Sequence, residues 1–105
     1  MKTCAIVPCY NVGGLCVPVI EQAGKLVDKI LAVDDGSTDD TPTHLAGTGI
    51  AILTHEQNAG KGAALITAFK HVLENPEYED CDAILTIDGD GQHNPEEITG
   101  LLDAY

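Results

Sequence analysis

The amino-acid sequence predicts an α/β fold, a Rossmann-like three-layer α/β/α sandwich around a mainly parallel sheet. Four short apolar runs rich in β-branched residues, at 4–7, 30–33, 50–53 and 83–87, are continuous rather than alternating, as strands covered on both faces should be. Segments of helical period separate them, so strand and helix alternate along the chain. That order implies parallel strands joined by right-handed crossovers, and such sheets bind ligands beyond the carboxyl ends of their strands.

The first strand runs into Pro8. The helix after it should turn Leu15, Cys16, Val19, Ile20 and Ala23 inward, with Pro18 tolerated because it sits in the opening turn. A short helix near 40–46 follows the second strand. The third helix has the clearest pattern: between Gly62 and Asn75-Pro76 it carries Leu65, Ile66, Phe69, Val72 and Leu73 on one stripe. A last helix begins after Asn94, with Pro95 in first position, Glu96 and Glu97 near the positive end of the dipole, and Ile98, Leu101 and Leu102 inward. There is no repeat, low-complexity segment or linker, so residues 1–105 read as a single domain; because the order stops on a helix, the fold is expected to be truncated.

Composition narrows the partners. Seventeen acidic residues face five lysines and no arginine, a net charge of −12, so nucleic acid and anionic membranes are repelled, whereas a metal cation or a basic segment is attracted. Cys4, Cys9, Cys16 and Cys81 show neither CxxC spacing nor a secreted disulfide framework, and read as reduced core or loop thiols. The apolar stretch after Lys2 stops at Pro8, too soon for a signal sequence, and no run approaches the ~20 residues of a membrane span. The segment is expected to be soluble and cytosolic.

The chemistry is expected in the loops after the strands. After the first comes Pro8-Cys9-Tyr10-Asn11-Val12-Gly13-Gly14, which lacks GxGxxG. Tyr10 can stack on a base or ribose while Asn11 orders the loop, or Tyr10 can simply pack in a turn; the segment alone does not decide. After the second comes 34–41, DDGSTDDT, where Gly36 and Ser37 make a turn and Ser37, Thr38 or Asp39 can cap the next helix. Asp34 and Asp35 are adjacent carboxylates that repel unless a donor or cation sits between them, and a nucleobase edge offers such donors. After the third comes 55–62, HEQNAGKG, where a phosphate loop fails because His55 and Gly62 stand where glycine and Ser/Thr are needed; Lys61 either meets an anion at the helix start or is a solvated side chain. After the fourth comes 88–95, DGDGQHNP. Two carboxylates one residue apart, with glycines permitting close backbone approach, suit a hard divalent cation that accepts phosphate oxygens, or else an acidic loop held by turns. An EF-hand is excluded, because its closing glutamate and flanking helices are lacking.

Taken together, IVPCYN, AVDDGSTDDT, NAGKGAA and TIDGDGQHNPEEI resemble, in order and spacing, the opening half of family 2 glycosyltransferases of the GT-A fold, most nearly the polyprenyl-phosphate sugar transferase branch. The resemblance implies that Pro8, Tyr10, Asn11 and Val12 border the nucleoside and that Asp35 bonds to the base. It further implies that Asp88 faces ribose or metal beside Gly89, that Asp90 is the main ligand of Mg2+ or Mn2+, and that Gln92 assists it; Lys61 is a looser match to the donor site. Val12 stands where that branch often has Glu, which bears on base preference. The implied reaction is inverting transfer of one sugar from a nucleoside-diphosphate sugar to an acceptor, a polyprenyl phosphate in that branch, at the inner face of the membrane. The family's catalytic base and acceptor site follow the DxD loop, so no catalytic residue is expected in this chain, and the chain alone is expected to be inactive. Exposed strand edges and helix faces would favour a homo-oligomer.

Two enzyme-like rivals fit less well. A receiver domain carries its acidic pair after the first strand, and a sugar nucleotidyltransferase resembles this fold class but has an arginine-bearing first loop. A non-catalytic nucleotide-binding or interaction module of the same fold is the alternative from another class.

Overall fold

The computed structural model describes residues 2–90. Its elements are β1 (Thr3–Cys9), α1 (Cys16–Ala23), β2 (Lys29–Asp34), α2 (Thr41–Ala46), β3 (Ala51–Thr54), α3 (Lys61–Glu74) and β4 (Ala83–Thr86), with 3-10 turns at Gly13–Leu15 and Pro76–Tyr78. The four strands form one sheet in the order β3-β2-β1-β4, every pair parallel. The helix expected after Asn94 lies outside the described residues.

Alternation of side chains along the strands feeds two cores. From β1, Ala5, Val7 and Cys9 join Ala32, Leu85 and Ile87 beneath Cys16, Val19, Ile20 and Ala23 of α1 and Leu45 of α2. Cys4 and Ile6 point the other way, with Leu31 and Val33, against Ala64, Ala68 and Val72 of α3 and against Tyr78. The layers are therefore α1 and α2, sheet, α3, as the sequence pattern requires of a doubly covered parallel sheet.

Three expectations need correction. Leu15 belongs to the 3-10 turn before α1 and is 59% exposed. On α3 the inward stripe is Ala64, Ala68 and Val72, with Leu65 partly buried, while Ile66, Phe69 and Leu73 face outward. Alanines at i and i+4 let the helix lie close to β1 and β2, and the bulkier residues then fall on the opposite side. The run at 50–53 is covered less fully than the other three: β3 is an edge strand whose Ile52 and Leu53 pack partly against the two opposite cores while Ala51 and Thr54 are exposed.

All four cysteines are free. Burial pushes the Cys4 thiol up to about 11 and the Cys9 thiol up to about 12, so both behave as small neutral core residues.

Candidate functional site

β2 and β3 lie to one side of β1 and β4 to the other, so the chain reverses its direction across the sheet at β1. Such a switch point leaves a crevice at the carboxyl ends of the strands. Here a cleft of about 250 Å3 opens there, lined by Pro8, Cys9, Tyr10 and Val12 after β1, Asp35 after β2, Asn58, Lys61 and Ala64 around the start of α3, and Asp88, Gly89 and Asp90 after β4. Pro8 has no N–H to give to β4. Among the described residues the last bonds between β1 and the β4 end run from Ile87 N to Ile6 O at 2.9 Å and from Gly89 N to Pro8 O at 3.2 Å, at the edge of the cleft.

Two glycines hold the loops together. Gly36 has φ +73°, and a Cβ there would strike Asn58 N and the Gln57 carbonyl carbon, so the loop after β3 can press directly on the turn after β2. A Cβ on Gly89 would lie 2.5 Å from Cys9 Sγ and 3.0 Å from Pro8 O, so only glycine lets the Asp88–Asp90 turn rest on the end of β1.

Asp35 is 3% exposed, and its carboxylate accepts from four groups of its own chain. His55 Nδ1 (2.7 Å) and Ala59 N (3.0 Å) donate to Oδ1; Asn58 Nδ2 and Gly60 N, both at 2.9 Å, donate to Oδ2. Burial works to raise its pKa, but the bonds from His55, Ala59 and Gly60 outweigh that and hold the carboxyl below the ordinary value. An ionised carboxylate only accepts, so Nδ1 of His55 carries the proton; in the neutral ring Nε2 then accepts from the Thr67 hydroxyl at 2.8 Å. Asp34, 1% exposed, accepts from Ser37 N at 3.0 Å. The donors that meet this acidic pair are thus the chain's own. His55 and Asn58 are the site residues that the sequence reading missed, since they meet Asp35 across 20 and 23 residues of sequence.

Among the residues expected to bind, the structure brings Pro8, Tyr10, Val12, Asp35, Lys61, Asp88, Gly89 and Asp90 to one cleft. Asn11 stands behind it. At φ +50° its side-chain oxygen accepts from Thr38 N (2.8 Å) and Asp39 N (3.4 Å), its own N–H donates to Ser37 Oγ, and it so ties the first loop to the second. Thr41 Oγ1 reinforces that tie by accepting from Val12 N and Gly13 N. Asp39 Oδ1 accepts from Thr41 N at 2.9 Å, a turn contact just ahead of α2; the N-cap of that helix is Asp40, which makes no side-chain cap bond, so none of Ser37, Thr38 and Asp39 is the cap. Gln92 lies outside the described residues.

No group of three or more His, Cys, Asp or Glu side chains assembles to hold a metal among the described residues. Asp88 and Asp90 nonetheless fit a divalent cation of the Mg2+ type, which takes one or two carboxylates and fills its other positions with water and phosphate oxygens. A cation already stands at one of them: Lys61 Nζ lies 2.5 Å from Asp88 Oδ1. Burial and the nearby carboxylates of Asp34 and Asp90 raise the pKa of the Cys9 thiol beside them.

Comparison with known proteins agrees with this geometry. The family model described as glycosyl transferase family 2 matches residues 4–105. UDP-N-acetylglucosamine–dolichyl-phosphate N-acetylglucosaminyltransferase of Methanococcus voltae is 30% identical over 92% of this chain and 44% of its own length. Polyprenol monophosphomannose synthase of Mycolicibacterium smegmatis is 33% identical over 98% of this chain and 40% of its own. The chain thus spans less than half the length of these relatives. Among solved structures, glucosyl-3-phosphoglycerate synthase of Mycobacterium tuberculosis, crystallised with Mn2+, uridine diphosphate and glucosyl-3-phosphoglycerate, superposes with a TM-score of 0.75 at 23% identity, over 97% of this chain and 38% of that one. That likeness establishes the GT-A type of fold. With the four quoted motifs at the ends of four parallel strands and the family model spanning nearly the whole sequence, the chain belongs to glycosyl transferase family 2.

Proposed function

We propose that this chain is the nucleotide-sugar-binding part of an inverting glycosyltransferase that uses a nucleoside-diphosphate sugar, a divalent cation and a polyprenyl-phosphate acceptor. The observation that carries the reading is the convergence of Tyr10, Asp35, Lys61, Asp88 and Asp90 on one cleft at the switch point of the sheet. The dolichyl-phosphate and polyprenol relatives support the acceptor class, and the synthase crystallised with Mn2+ and uridine diphosphate supports the donor and metal.

In this reading the roles divide by loop. Pro8, Tyr10 and Val12 border the nucleoside, with the half-exposed Tyr10 ring offering a stacking face. Asp35 lines the base side of the cleft and, with its oxygens taken by His55, Asn58, Ala59 and Gly60, serves the base by fastening the loop beneath it. Asp88 and Asp90, with Gln92, would hold Mg2+ or Mn2+, which supplies neutralisation of the charge that develops on the departing diphosphate. Lys61 adds a positive charge to the same end of the cleft. The part of the relatives' length that this chain does not span is where this reading puts the catalytic base and acceptor site, so the chain by itself is expected to show no transferase turnover. No helix among the described residues is long and apolar enough to cross a membrane. In the proposed reading the site works on the cytoplasmic side, at the inner face, where a lipid phosphate can be met.

The test is the melting temperature of the purified chain with uridine, guanosine, adenosine and cytidine diphosphates, each with manganese and with chelator. At least one diphosphate is expected to stabilise the chain, and more with manganese than with chelator. No stabilisation by any of them would leave a non-catalytic module as the better reading.

A further inference from the structure

The Lys61–Asp88 pair spans the cleft from the start of α3 to the end of β4. Among the described residues that line the cleft, Lys61 is the one with a cationic side chain, and it faces three carboxylates, Asp35, Asp88 and Asp90. Its backbone is held firmly, because Ala59 N and Gly60 N, just before it, are bound by Asp35 at 3.0 and 2.9 Å. Its side chain is 58% exposed and has room to swing, while the carboxylate it meets is only 18% exposed. A well-anchored base, an exposed stem and a head on a half-hidden carboxylate make a tether that can change partner.

We propose that Lys61 is a built-in counter-ion with two stations, Asp88 when the cleft holds no metal and the diphosphate oxygens when it does. The proposal rests on the reading of Asp88 and Asp90 as metal ligands. An ammonium this close to Asp88 Oδ1 and a divalent cation at the same oxygen repel each other, so they exclude one another. Lys61 therefore weakens binding of metal alone and, once displaced, strengthens binding of metal together with a diphosphate. Through this residue metal and nucleotide bind cooperatively, each favouring the other by the same factor.

The experiment measures free Mn2+ by electron paramagnetic resonance in titrations of the unmodified chain, Lys61→Met and Lys61→Arg, without and with saturating uridine diphosphate. Lys61→Met is expected to bind Mn2+ alone at least about threefold more tightly than the unmodified chain, since a competing cation has gone. It should also lose most of the gain in Mn2+ affinity that uridine diphosphate brings. Lys61→Arg keeps a cation on Asp88 and should stay close to the unmodified chain without nucleotide. If Lys61→Met binds Mn2+ alone no more tightly, yet the unmodified chain binds Mn2+ with uridine diphosphate, the two-station role is overturned and the metal site stands. If the unmodified chain binds Mn2+ under neither condition, the metal reading itself fails and the role of Lys61 fails with it.

Discussion

Replacing Asp35 by Asn keeps its volume but, whichever way the amide turns, its NH2 meets two of the four donors that now converge on the carboxylate. Asp35→Asn should cost about 1–3 kcal/mol at pH 7, read from urea denaturation. The sign of the pH dependence follows from the direction of the shift. A carboxyl held below its ordinary value stabilises the fold above the unfolded pKa, about 3.9, and that contribution is lost as pH falls through the lower folded value. The gap between the two proteins should therefore shrink in acid; a gap of constant size down to pH 3 would show that charge at Asp35 is not what fastens the loop. Gly89 makes a second test at this scale. Gly89→Ala pushes a methyl into Cys9 Sγ and Pro8 O, and should cost about 1–3 kcal/mol. Adding Cys9→Ala should relieve part of that cost but not the clash with the Pro8 carbonyl, so denaturation of the two single variants and the double variant should give a favourable coupling.

Strands and loops were more legible than helix faces, and α3 shows why. Its apolar residues fall on two stripes, and the larger ones, Ile66, Phe69 and Leu73, drew the inward assignment. The sheet selects instead the stripe that lets the backbone come close, Ala64, Ala68 and Val72. Composition cannot tell small-and-close from large-and-distant packing. Strand ends were legible because a parallel sheet places every loop that follows a strand on one edge, so the order of the motifs sufficed to bring Tyr10, Asp35, Lys61 and Asp88 together. Asp35's partners were not, since His55 and Asn58 reach it across 20 and 23 residues and no local pattern marks that pairing. The helix assignment is tested by substitution: Ala68→Leu should destabilise by about 1–3 kcal/mol through overpacking, whereas Leu73→Glu, at a site 82% exposed, should stay within about 0.5 kcal/mol in thermal denaturation. The opposite order would restore the larger stripe to the core.

At the scale of the molecule, charge and accessibility are unevenly spread. Lys2 and Lys29 pair with Asp80 near the amino ends of the strands, leaving the cleft at the other edge acidic but for Lys61. The outward apolar residues of α3 and the edge strands β3 and β4 of the described sheet support self-association, so light scattering at millimolar protein should show a dimer or larger species. Cys4, Cys9 and Cys16 are buried and Cys81 is partly exposed. Mass spectrometry after brief alkylation of the folded chain should therefore find one adduct, at Cys81, and four after denaturation; rapid labelling of Cys9 would mean that the β1 end is not closed by the Asp88–Asp90 turn.

The central claim is that the two acidic loops serve different parts of one ligand, Asp35 the base and Asp90 the metal beneath the diphosphate. Calorimetric titration of the unmodified chain, Asp35→Ala and Asp90→Asn with uridine and with uridine diphosphate, each with manganese and with chelator, tests it most directly. Asp35→Ala should weaken both ligands, by about 1–3 kcal/mol, because the loop beneath the base loses the carboxylate that fastens it. Asp90→Asn should leave uridine unchanged and abolish the manganese-dependent part of diphosphate binding, because a neutral amide is a poorer ligand for a hard cation. Full manganese-dependent affinity in Asp90→Asn, or loss of only that component in Asp35→Ala, would contradict the division of roles.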